Sequence, residues 1–375
     1  MRVVFDYQIF ALQQTGGISR YFLDLARSLA RFCPEIEPAV VAPFHVSPML
    51  EEEQRGGTVP VHGRRVPVFP GKHRVLPRLN SLVSEKILYR LRPDILHATY
   101  YHPRIPEWDG PRILTVYDMI HERFPHLFTG VDREVPRWKR EAVARADHLI
   151  AISRCTRDDL VEMLDVEPEK ITVISLAPSL KAPEGGGEKR VPCRERPYLL
   201  YVGLRGGVKN FATLLAAFSS SPVLRKDFDL VCVGGGPFTD DELRGIREQG
   251  VERRVTQVEA DDAQLARLYE GASLFVYPSL YEGFGLPLLE AMRCGCPVAC
   301  SGTSSMPEVA GEAALFFDPT DSGEMRVTLE RIVTSPSLAD ELRARGRRRE
   351  KEFGWEECAR LTAAVYERCV REQSR

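Results

Sequence analysis

Two carboxylates flank an apolar turn in YEGFGLPLLE, residues 281–290, where Glu282 precedes Gly-Phe-Gly and Glu290 ends the stretch. Pro287 is typical of the first turn of a helix and Gly295 of its end, so Glu290 falls near the first turn and Glu282 in the preceding loop. A helix N-terminus binds phosphate, but two nearby carboxylates would repel it unless both accepted hydrogen bonds from hydroxyl groups. The pattern therefore predicts a ligand with phosphates and sugar hydroxyls, which is a nucleotide-sugar.

The two glutamates are expected to bind different parts of such a ligand. Glu290 would accept a hydrogen bond from the ribose, and Glu282 would accept one from the sugar that is transferred. Backbone N–H groups of the turn would meet the phosphates. The residues predicted to bind the donor in this way are Gly283, Phe284, Gly285 and Leu286.

A glycine-rich loop earlier in the chain supplies two cations. In YVGLRGGVKN, residues 201–210, an apolar strand runs into three glycines, Arg205, Lys209 and a helix start. Such a loop suits a diphosphate, while a solvated loop is the alternative. The loop does not have the Walker spacing, and Thr239 stands where VGGGPFTD would need the last glycine of a dinucleotide-binding fingerprint. Both features disfavour ATP hydrolysis and nicotinamide chemistry.

Length and composition limit the class of protein. A chain of 375 residues is longer than a single hydrophobic core usually accommodates. Its formal net charge of -2 disfavours a protein specialised for binding polyanions. The cysteines are scattered, and Cys294, Cys296 and Cys300 have no fourth zinc ligand near them in the sequence. The opening MRVVFDYQIF is too short and interrupted for a signal peptide or a membrane span. We therefore expect a two-domain protein of the reducing cytoplasm.

Strand and helix patterns alternate along the chain in two successive runs. The first run has strands at RVVFDY, EPAVVAP, DILHAT, RILTVYD, HLIAIS and KITVIS, and Ser153 is the expected N-cap of the helix after HLIAIS. Proline, glycine and charge break the pattern between 177 and 197, and it restarts at YLLYVG. We predict an N-terminal Rossmann-like domain at 1–180, a linker at 181–197, a second Rossmann-like domain at 198–355 and a final helix at 356–375.

Two such domains, joined by a linker, leave a cleft where the carboxyl ends of both parallel sheets face each other. Ligands of open α/β sheets bind at those ends. The predicted fold class is therefore α/β, with two Rossmann-like domains facing each other across a cleft that holds the nucleotide-sugar.

The motif YEGFGLPLLE resembles the E-x7-E motif of the retaining glycosyltransferases of family 4. Its flanks YPS, EAMRCGCPV and SSMPEVAGEAALFFDP are similar to the same family, as are LYVGLRGGVKN, LARLYEGA, TGGISRY and HLIAIS. The resemblance covers most of the chain and is most specific in the C-terminal half. It implies a GT-B fold with the acceptor on the N-terminal domain, the nucleotide-sugar on the C-terminal domain, and the final helix packed back on the N-terminal domain.

The resemblance also implies roles for single residues. The diphosphate would be contacted by Arg205 and Lys209, the donor sugar by Glu282 and the ribose by Glu290. In this family the leaving diphosphate oxygen is thought to take the acceptor proton during same-face attack, so the protein positions the substrates and stabilises charge. A Glu282 nucleophile is the alternative.

Further donor contacts are implied on both domains. Gly16 and Gly17 would approach the diphosphate from across the cleft, and backbone near Val258 would hold the nucleobase of a GDP- or UDP-linked sugar. No other cofactor is expected. No metal is expected either, because the acidic pairs at 240–241 and 261–262 fit helix N-termini better than a metal site.

One position departs from the family. Many relatives have His-Asp where this chain has Tyr117 before Asp118 in TVYDMIHE. The family's histidine lies near the transferred sugar, so the change leaves the identity of that sugar open. His121 either substitutes for it or is a surface histidine, and the three residues are candidates on the acceptor side.

The acceptor is the part of the function that the sequence defines least. Residues 55–92 carry nine Lys and Arg residues against the single acid Glu85, interleaved with apolar residues. Such a stretch suits an anionic membrane or a lipid-diphosphate acceptor, or else a solvated face with a mobile loop. Sparse aromatic residues and a slightly acidic chain disfavour nucleic acid.

We therefore expect a retaining, metal-independent transferase that moves mannose or another hexose to a glycan, a lipid-linked or a small-molecule acceptor. Its setting would be the biosynthesis of a cell-surface polysaccharide or glycoconjugate, in the cytoplasm or at the inner face of the membrane. The alternative is a non-catalytic subunit that binds a nucleotide-sugar for a partner transferase. Because both cations and both glutamates are present, the enzyme is favoured.

Overall fold

The computed structural model describes residues 1–183 and 196–373. The chain divides into two compact units: unit 1 is Met1–Ala177 with Gly354–Arg375, and unit 2 is Pro178–Phe353. The chain therefore leaves unit 1 once and returns to it near residue 354. Most of the predicted linker, residues 184–195, lies outside the described residues.

Unit 1 is a parallel sheet with helices packed against it. Its elements up to residue 173 are β1 (Arg2–Phe5), α1 (Gln8–Leu12), α2 (Gly17–Phe32), β2 (Glu37–His45), α3 (Pro48–Gly56), β3 (Val61–Arg65), α4 (Lys72–Leu91), β4 (Ile95–Ala98), β5 (Arg112–Val116), α5 (Ile120–Arg123), α6 (Val135–Arg145), β6 (His148–Ala151), α7 (Arg154–Leu164) and β7 (Ile171–Val173). The seven strands follow the order β3-β2-β1-β4-β5-β6-β7. The chain builds the sheet outward in one direction from β1 and in the opposite direction from β4, so this neighbouring pair is the topological switch point of the sheet.

The strands predicted in the first run are confirmed, and all of them except the half-buried edge strand β7 are mostly buried in the sheet. All four residues of β4 and of β6 are buried, as expected for strands covered on both faces. The predicted cap is also confirmed: Ser153 Oγ accepts a hydrogen bond from the Thr156 N–H at 3.0 Å.

Most of the basic stretch of residues 55–92 is regular secondary structure, with loops at 57–60 and 66–71. It contains β3 at the sheet edge and the twenty-residue helix α4, which has Pro77 in its interior. Proline inside a helix removes a backbone hydrogen bond, which is why the pattern there does not predict a helix. Among the described residues, no helix combines the length and the apolar character needed to cross a membrane.

Unit 2 repeats the same architecture with fewer strands. Its elements are β8 (Tyr198–Val202), α8 (Phe211–Ser220), α9 (Pro222–Asp227), β9 (Asp229–Val233), α10 (Asp240–Glu248), β10 (Val255–Val258), α11 (Asp262–Gly271), β11 (Leu274–Tyr277), α12 (Leu286–Arg293), β12 (Val298–Ser301), α13 (Met306–Ala310), β13 (Ala314–Phe317), α14 (Ser322–Val333) and α15 (Pro336–Arg349). The parallel strands follow the order β10-β9-β8-β11-β12-β13. Their switch point is the pair β8 and β11.

The final helix α16 (Trp355–Gln373) belongs to unit 1, where it packs against α2. Polar contacts from two of its residues tie it to the sheet. His97 on β4 makes hydrogen bonds with the Tyr366 hydroxyl at 2.6 Å and with Thr115 Oγ1 at 2.9 Å. Arg368 donates to His148 on β6. Unit 1 is therefore completed by residues that follow unit 2 in the sequence.

The buried His97 should make unit 1 sensitive to acid. Burial lowers the pKa of His97 to about 3, below the value of about 6.5 in an unfolded chain. Below pH 6.5 the unfolded chain binds this proton and the folded chain does not, so the free energy of unfolding falls as pH falls. We expect His97→Gln to reduce that slope between pH 6 and 4.5 by roughly 1.4 kcal/mol per pH unit.

Urea unfolding followed at several pH values measures this slope. Burial also lowers the pKa of His45 and His148, so the variant should keep part of the acid sensitivity. His126 is exposed and provides the control, because His126→Gln should show the same dependence of the free energy of unfolding on pH as the parent chain. If the unfolding free energy of His97→Gln depended on pH as steeply as that of the parent chain, His97 would not be a source of the acid sensitivity.

Candidate active site

The loops that follow β8 and β11 lie side by side at the carboxyl edge of the unit 2 sheet. They are joined through the backbone, where the Leu280 N–H donates to the Val208 carbonyl at 2.7 Å. Asn210, with φ of 56°, adds a second tie from its Nδ2 to the Pro278 carbonyl at 3.0 Å. Because strand order reverses here, this edge is where an open parallel sheet binds a ligand.

Lys209 and Glu282 meet at this edge. Lys209 Nζ donates to Glu282 Oε1 at 2.6 Å, and the two side chains are 26% and 12% exposed. The ammonium group also lies 5.7 Å from the centre of the Tyr277 ring. Two of the predicted catalytic residues are thus a partly desolvated ion pair at the switch point.

The loop that carries Glu282 is braced by two serines. The Glu282 N–H donates to Ser304 Oγ at 3.0 Å, and Ser305 Oγ donates to the carbonyls of Glu282 and Phe284 at 2.8 and 2.9 Å. These serines lie within SSMPEVAG, but their sequence pattern alone does not indicate this role. They fix the backbone on which the predicted phosphate contacts depend.

Gly285 turns that loop into helix α12. Its φ of 100° lies in the region that favours glycine, and Leu286 begins the helix with Pro287 in its first turn. Gly295, with φ of 71°, follows the helix end as expected. The backbone N–H groups of Gly285 and Leu286 are therefore at a helix N-terminus, where a phosphate is stabilised.

Glu290 lies one turn further along α12. The Tyr269 hydroxyl donates to Glu290 Oε2 at 3.4 Å, and the Glu290 charge is among the causes that raise the pKa of Tyr269, after burial. Both glutamates lie beside a buried phenol, Tyr277 for Glu282 and Tyr269 for Glu290, and they differ in that Glu282 is also paired with Lys209. Their contacts with a sugar and a ribose stay predictions.

Arg205 is placed differently from Lys209. Its side chain is 2% exposed and donates to Glu242 at 2.8 Å. It also donates to the carbonyls of Gly234, Gly236 and Pro237 at 2.6, 2.9 and 3.0 Å. The guanidinium thus organises the glycine loop after β9, and its contact with a diphosphate stays a prediction.

The predicted nucleobase contact at Val258 and the two acidic pairs are the remaining predicted features of unit 2. Val258 ends β10, at the same carboxyl edge of the sheet. The acidic pairs lie at helix N-termini as predicted, with Asp261 capping α11 and accepting from the Gln264 N–H at 2.8 Å. Across the described ranges, three or more His, Cys, Asp or Glu side chains nowhere gather as metal ligands do.

In unit 1 the predicted glycines lie at the start of α2. Gly17 is the first helical residue, and a Cβ at that position would meet no atom within 4 Å. A Cβ on Gly16 would lie 2.3 Å from Gln13 Oε1, which is the end of a flexible side chain. The backbone at Gly17 is therefore open to a ligand.

The acceptor-side candidates line the end of β5. Tyr117 is buried, and its hydroxyl donates to the Thr99 carbonyl at 3.4 Å. His121 stacks on Phe128 with ring centres 4.1 Å apart, and burial lowers the pKa of its imidazole. His121 is therefore neutral near pH 7 and packed against a ring.

A buried lysine fixes this segment. Lys139 Nζ donates to the Asp118 carbonyl and to Glu122 Oε2, both at 2.8 Å, and its side chain is 0% exposed. The Asp118 carboxylate lies 3.9 Å from the same ammonium and is 32% exposed. Sequence reasoning missed Lys139, since a lysine in an amphipathic helix is usually on the solvated side.

Two family models together match most of the chain. Residues 15–177 match the family model of Glycosyltransferase Family 4, and residues 188–349 match that of glycosyl transferases group 1. The chain is 29% identical over 387 residues to O-antigen chain mannosyltransferase B of Escherichia coli, covering 98% of this chain and 99% of that protein.

Solved structures share the fold over nearly the whole chain. Sucrose-phosphate synthase from Thermosynechococcus elongatus superposes with a TM-score of 0.76 at 20% identity, covering 98% of both chains. Anabaena Alr3699/HepE, solved with UDP and glucose, superposes with a TM-score of 0.73 at 16% identity, covering 98% of this chain and 99% of the other. These likenesses confirm the predicted fold class.

Proposed function

We propose that this chain, which belongs to glycosyltransferase family 4, is a retaining hexosyltransferase that uses a nucleoside-diphosphate sugar. The observation that carries the proposal is the Lys209–Glu282 ion pair at the switch point of unit 2. A mannosyltransferase relative and a structural neighbour solved with UDP and glucose support a nucleotide-linked hexose as the donor. We propose GDP or UDP as its nucleotide. The acceptor would be a glycan, lipid-linked or small molecule in polysaccharide or glycoconjugate biosynthesis.

The ion pair selects the kind of ligand. Separating Lys209 from Glu282 leaves two partly buried charges, and each needs a new partner. A free anion would satisfy Lys209 alone, and a neutral sugar would satisfy Glu282 alone. A sugar diphosphate offers a phosphate oxygen to the ammonium and a hydroxyl to the carboxylate, so it replaces both halves of the pair.

The proposed reaction follows from this placement. The bond between the sugar C1 and the diphosphate oxygen breaks, the acceptor oxygen bonds to C1 on the same face, and its proton passes to the departing diphosphate. Lys209 and the N-terminus of α12 stabilise the charge that develops on that leaving group. A nucleophilic Glu282 is less favoured, because its carboxylate is already bonded to an ammonium.

We also propose that no metal or other cofactor is needed and that the chain works at the inner face of a membrane. Along α4, exposed Leu82 (62%) and Tyr89 (79%) lie among the basic residues Lys86 and Arg90. Apolar side chains beside cations are typical of a helix that lies on an anionic bilayer. Co-sedimentation with anionic but not neutral vesicles tests this placement.

A thermal-shift panel of nucleotide-sugars tests the function directly. A ligand that binds the native state raises the unfolding midpoint by mass action, so the panel identifies the donor without an acceptor. The ligand that shifts the midpoint is then tested for transfer to added sugars and for slow hydrolysis. Binding without either reaction would favour the non-catalytic subunit, and a chain that binds no nucleotide-sugar would contradict the proposal.

The two glutamates should respond differently to loss of charge. Glu290→Gln is expected to weaken binding of the nucleoside diphosphate about tenfold, because one charge-assisted hydrogen bond contributes roughly 1.5–3 kcal/mol. Glu282→Gln should leave that binding unchanged or tighter, since it frees Lys209, and should lower turnover of the intact donor.

Titration calorimetry with GDP and UDP, together with initial rates, separates these effects. Glu270→Gln, an exposed glutamate of α11, should behave as the parent chain in both assays. The same profile for Glu282→Gln and Glu290→Gln would refute the division of roles between sugar and ribose.

A further inference from the structure

Unit 1 contains a cavity of about 230 Å³ with cations around it. Arg74 and Arg78 reach it from the first turns of α4, and His102 and Arg104 reach it from the segment after β4. Trp138 of α6 closes another side. These segments follow β3, β4 and β5, so the cavity lies at the carboxyl edge of the unit 1 sheet, where such sheets bind ligands.

The guanidinium groups around the cavity are not neutralised by the protein. Within residues 1–183 and 196–373, the side chains of Arg74, Arg78 and Arg104 have no hydrogen-bond or ion-pair partner. The carboxylate that lines the cavity, Glu134, is paired with Arg137 at 2.7 Å. Three guanidinium groups that face one cavity without a carboxylate partner among the described residues favour an anionic occupant, because each can still donate charge-assisted hydrogen bonds to it.

Two rings complete the cavity. The Arg104 N–H donates to His102 Nδ1 at 3.0 Å, which places the imidazole proton on Nε2 and makes that atom a donor. Burial lowers the pKa of His102 to about 4, so the ring is neutral near pH 7. It lies 5.1 Å from the Trp138 ring. The cavity therefore offers guanidinium donors beside a flat apolar wall.

We propose that this cavity binds a phosphate or diphosphate group of the acceptor, an inference that rests on the transferase function proposed above. A phosphate presents several oxygens and up to two negative charges, which suits several guanidinium groups better than a single carboxylate does. The rings then pack against the group that carries the phosphate. That group is either a soluble sugar or a lipid.

Titration calorimetry on the full chain tests the cavity with two probes, glucose 6-phosphate and farnesyl diphosphate. The Lys209→Ala background keeps the donor edge of unit 2 from capturing the probe. We expect the Arg74→Ala/Arg78→Ala variant to bind the preferred probe at least about tenfold more weakly, since two charge-assisted contacts are lost. Tighter binding of glucose 6-phosphate would identify a soluble phosphosugar, and tighter binding of farnesyl diphosphate a lipid-linked acceptor.

The controls separate the cavity from general charge. Arg253→Ala removes an exposed arginine of unit 2 that does not line the cavity, and it should leave binding unchanged. Unphosphorylated glucose should not bind. Equal affinity for the parent, the Arg74→Ala/Arg78→Ala variant and Arg253→Ala would overturn the proposal.

The experiment distinguishes failure of the cavity proposal from failure of the proposed transferase function. A chain that binds a nucleotide-sugar but neither phosphate probe would refute the cavity alone. A chain that binds a probe through Arg74 and Arg78 but binds no nucleotide-sugar would refute the proposed transferase and leave an anion site.

Discussion

Lys209→Ala should lower kcat/KM for sugar transfer roughly 10- to 100-fold. One charge-assisted hydrogen bond to the leaving diphosphate contributes about 1.5–3 kcal/mol, and about 1.4 kcal/mol corresponds to a factor of ten in rate. The loss should appear both in the affinity for the nucleoside diphosphate and in kcat, because the charge on the diphosphate grows as the bond to the sugar breaks. Initial rates and calorimetry measure the two parts separately.

Two further variants sharpen this prediction. Lys209→Arg keeps the charge at the position and should recover part of the rate. Lys226→Ala removes an exposed lysine of the same unit and should behave as the parent chain. If Lys209→Ala kept full activity and full affinity, the ion pair would not mark the donor site.

Arg205→Ala should damage stability more than any substitution of an exposed residue in unit 2. The change leaves Glu242 and the carbonyls of Gly234, Gly236 and Pro237 without their donor. Removing one partner of a buried pair costs about 3 kcal/mol or more. Since a unit of this size loses roughly 2–4 °C per kcal/mol, we expect the thermal midpoint to fall by about 6–12 °C.

Circular dichroism measures that midpoint, and calorimetry below it measures nucleotide binding. Arg205→Lys should recover little stability, because one ammonium group cannot serve a carboxylate and three carbonyls at once. Arg253→Ala, at an exposed position, should leave the midpoint unchanged. A stable Arg205→Ala chain with weak nucleotide binding would instead support direct contact with the diphosphate.

The strands could be predicted from sequence because burial on both faces leaves a continuous apolar run. In β11, Leu274–Tyr277, every residue is buried, and the neighbouring β8 is almost wholly buried. Helix α4 could not be predicted in the same way. Because Val75, Leu79 and Leu82 are apolar but exposed, the helix has no single apolar face, and Pro77 interrupts the helical spacing of apolar residues.

The meeting of Lys209 and Glu282 follows from topology more than from local sequence. The two residues are 73 positions apart, yet both follow strands that neighbour each other where the order reverses. An α/β pattern therefore predicts their proximity once the Rossmann-like order is assumed. It does not predict their pairing, which depends on side-chain directions that a sequence does not record.

Arg205 shows the limit of reasoning from a motif. A base in a glycine-rich loop suits an anion by its type and spacing alone. Gly234, Gly235 and Gly236 all have positive φ, which turns carbonyl oxygens toward the guanidinium. Those acceptors come from a loop about thirty residues away, so the local stretch contains no indication of them.

The placement of α16 sets an order in which the two units can finish folding on the ribosome. Unit 1 is synthesised first but lacks α16, and with it the Tyr366 hydroxyl that His97 needs, until residue 373 has emerged. Unit 2 is continuous in sequence, so it can close while unit 1 still exposes the apolar side of α2. Unit 1 is begun before unit 2 and is therefore the later of the two to be completed, and until then its apolar surface can make incorrect contacts.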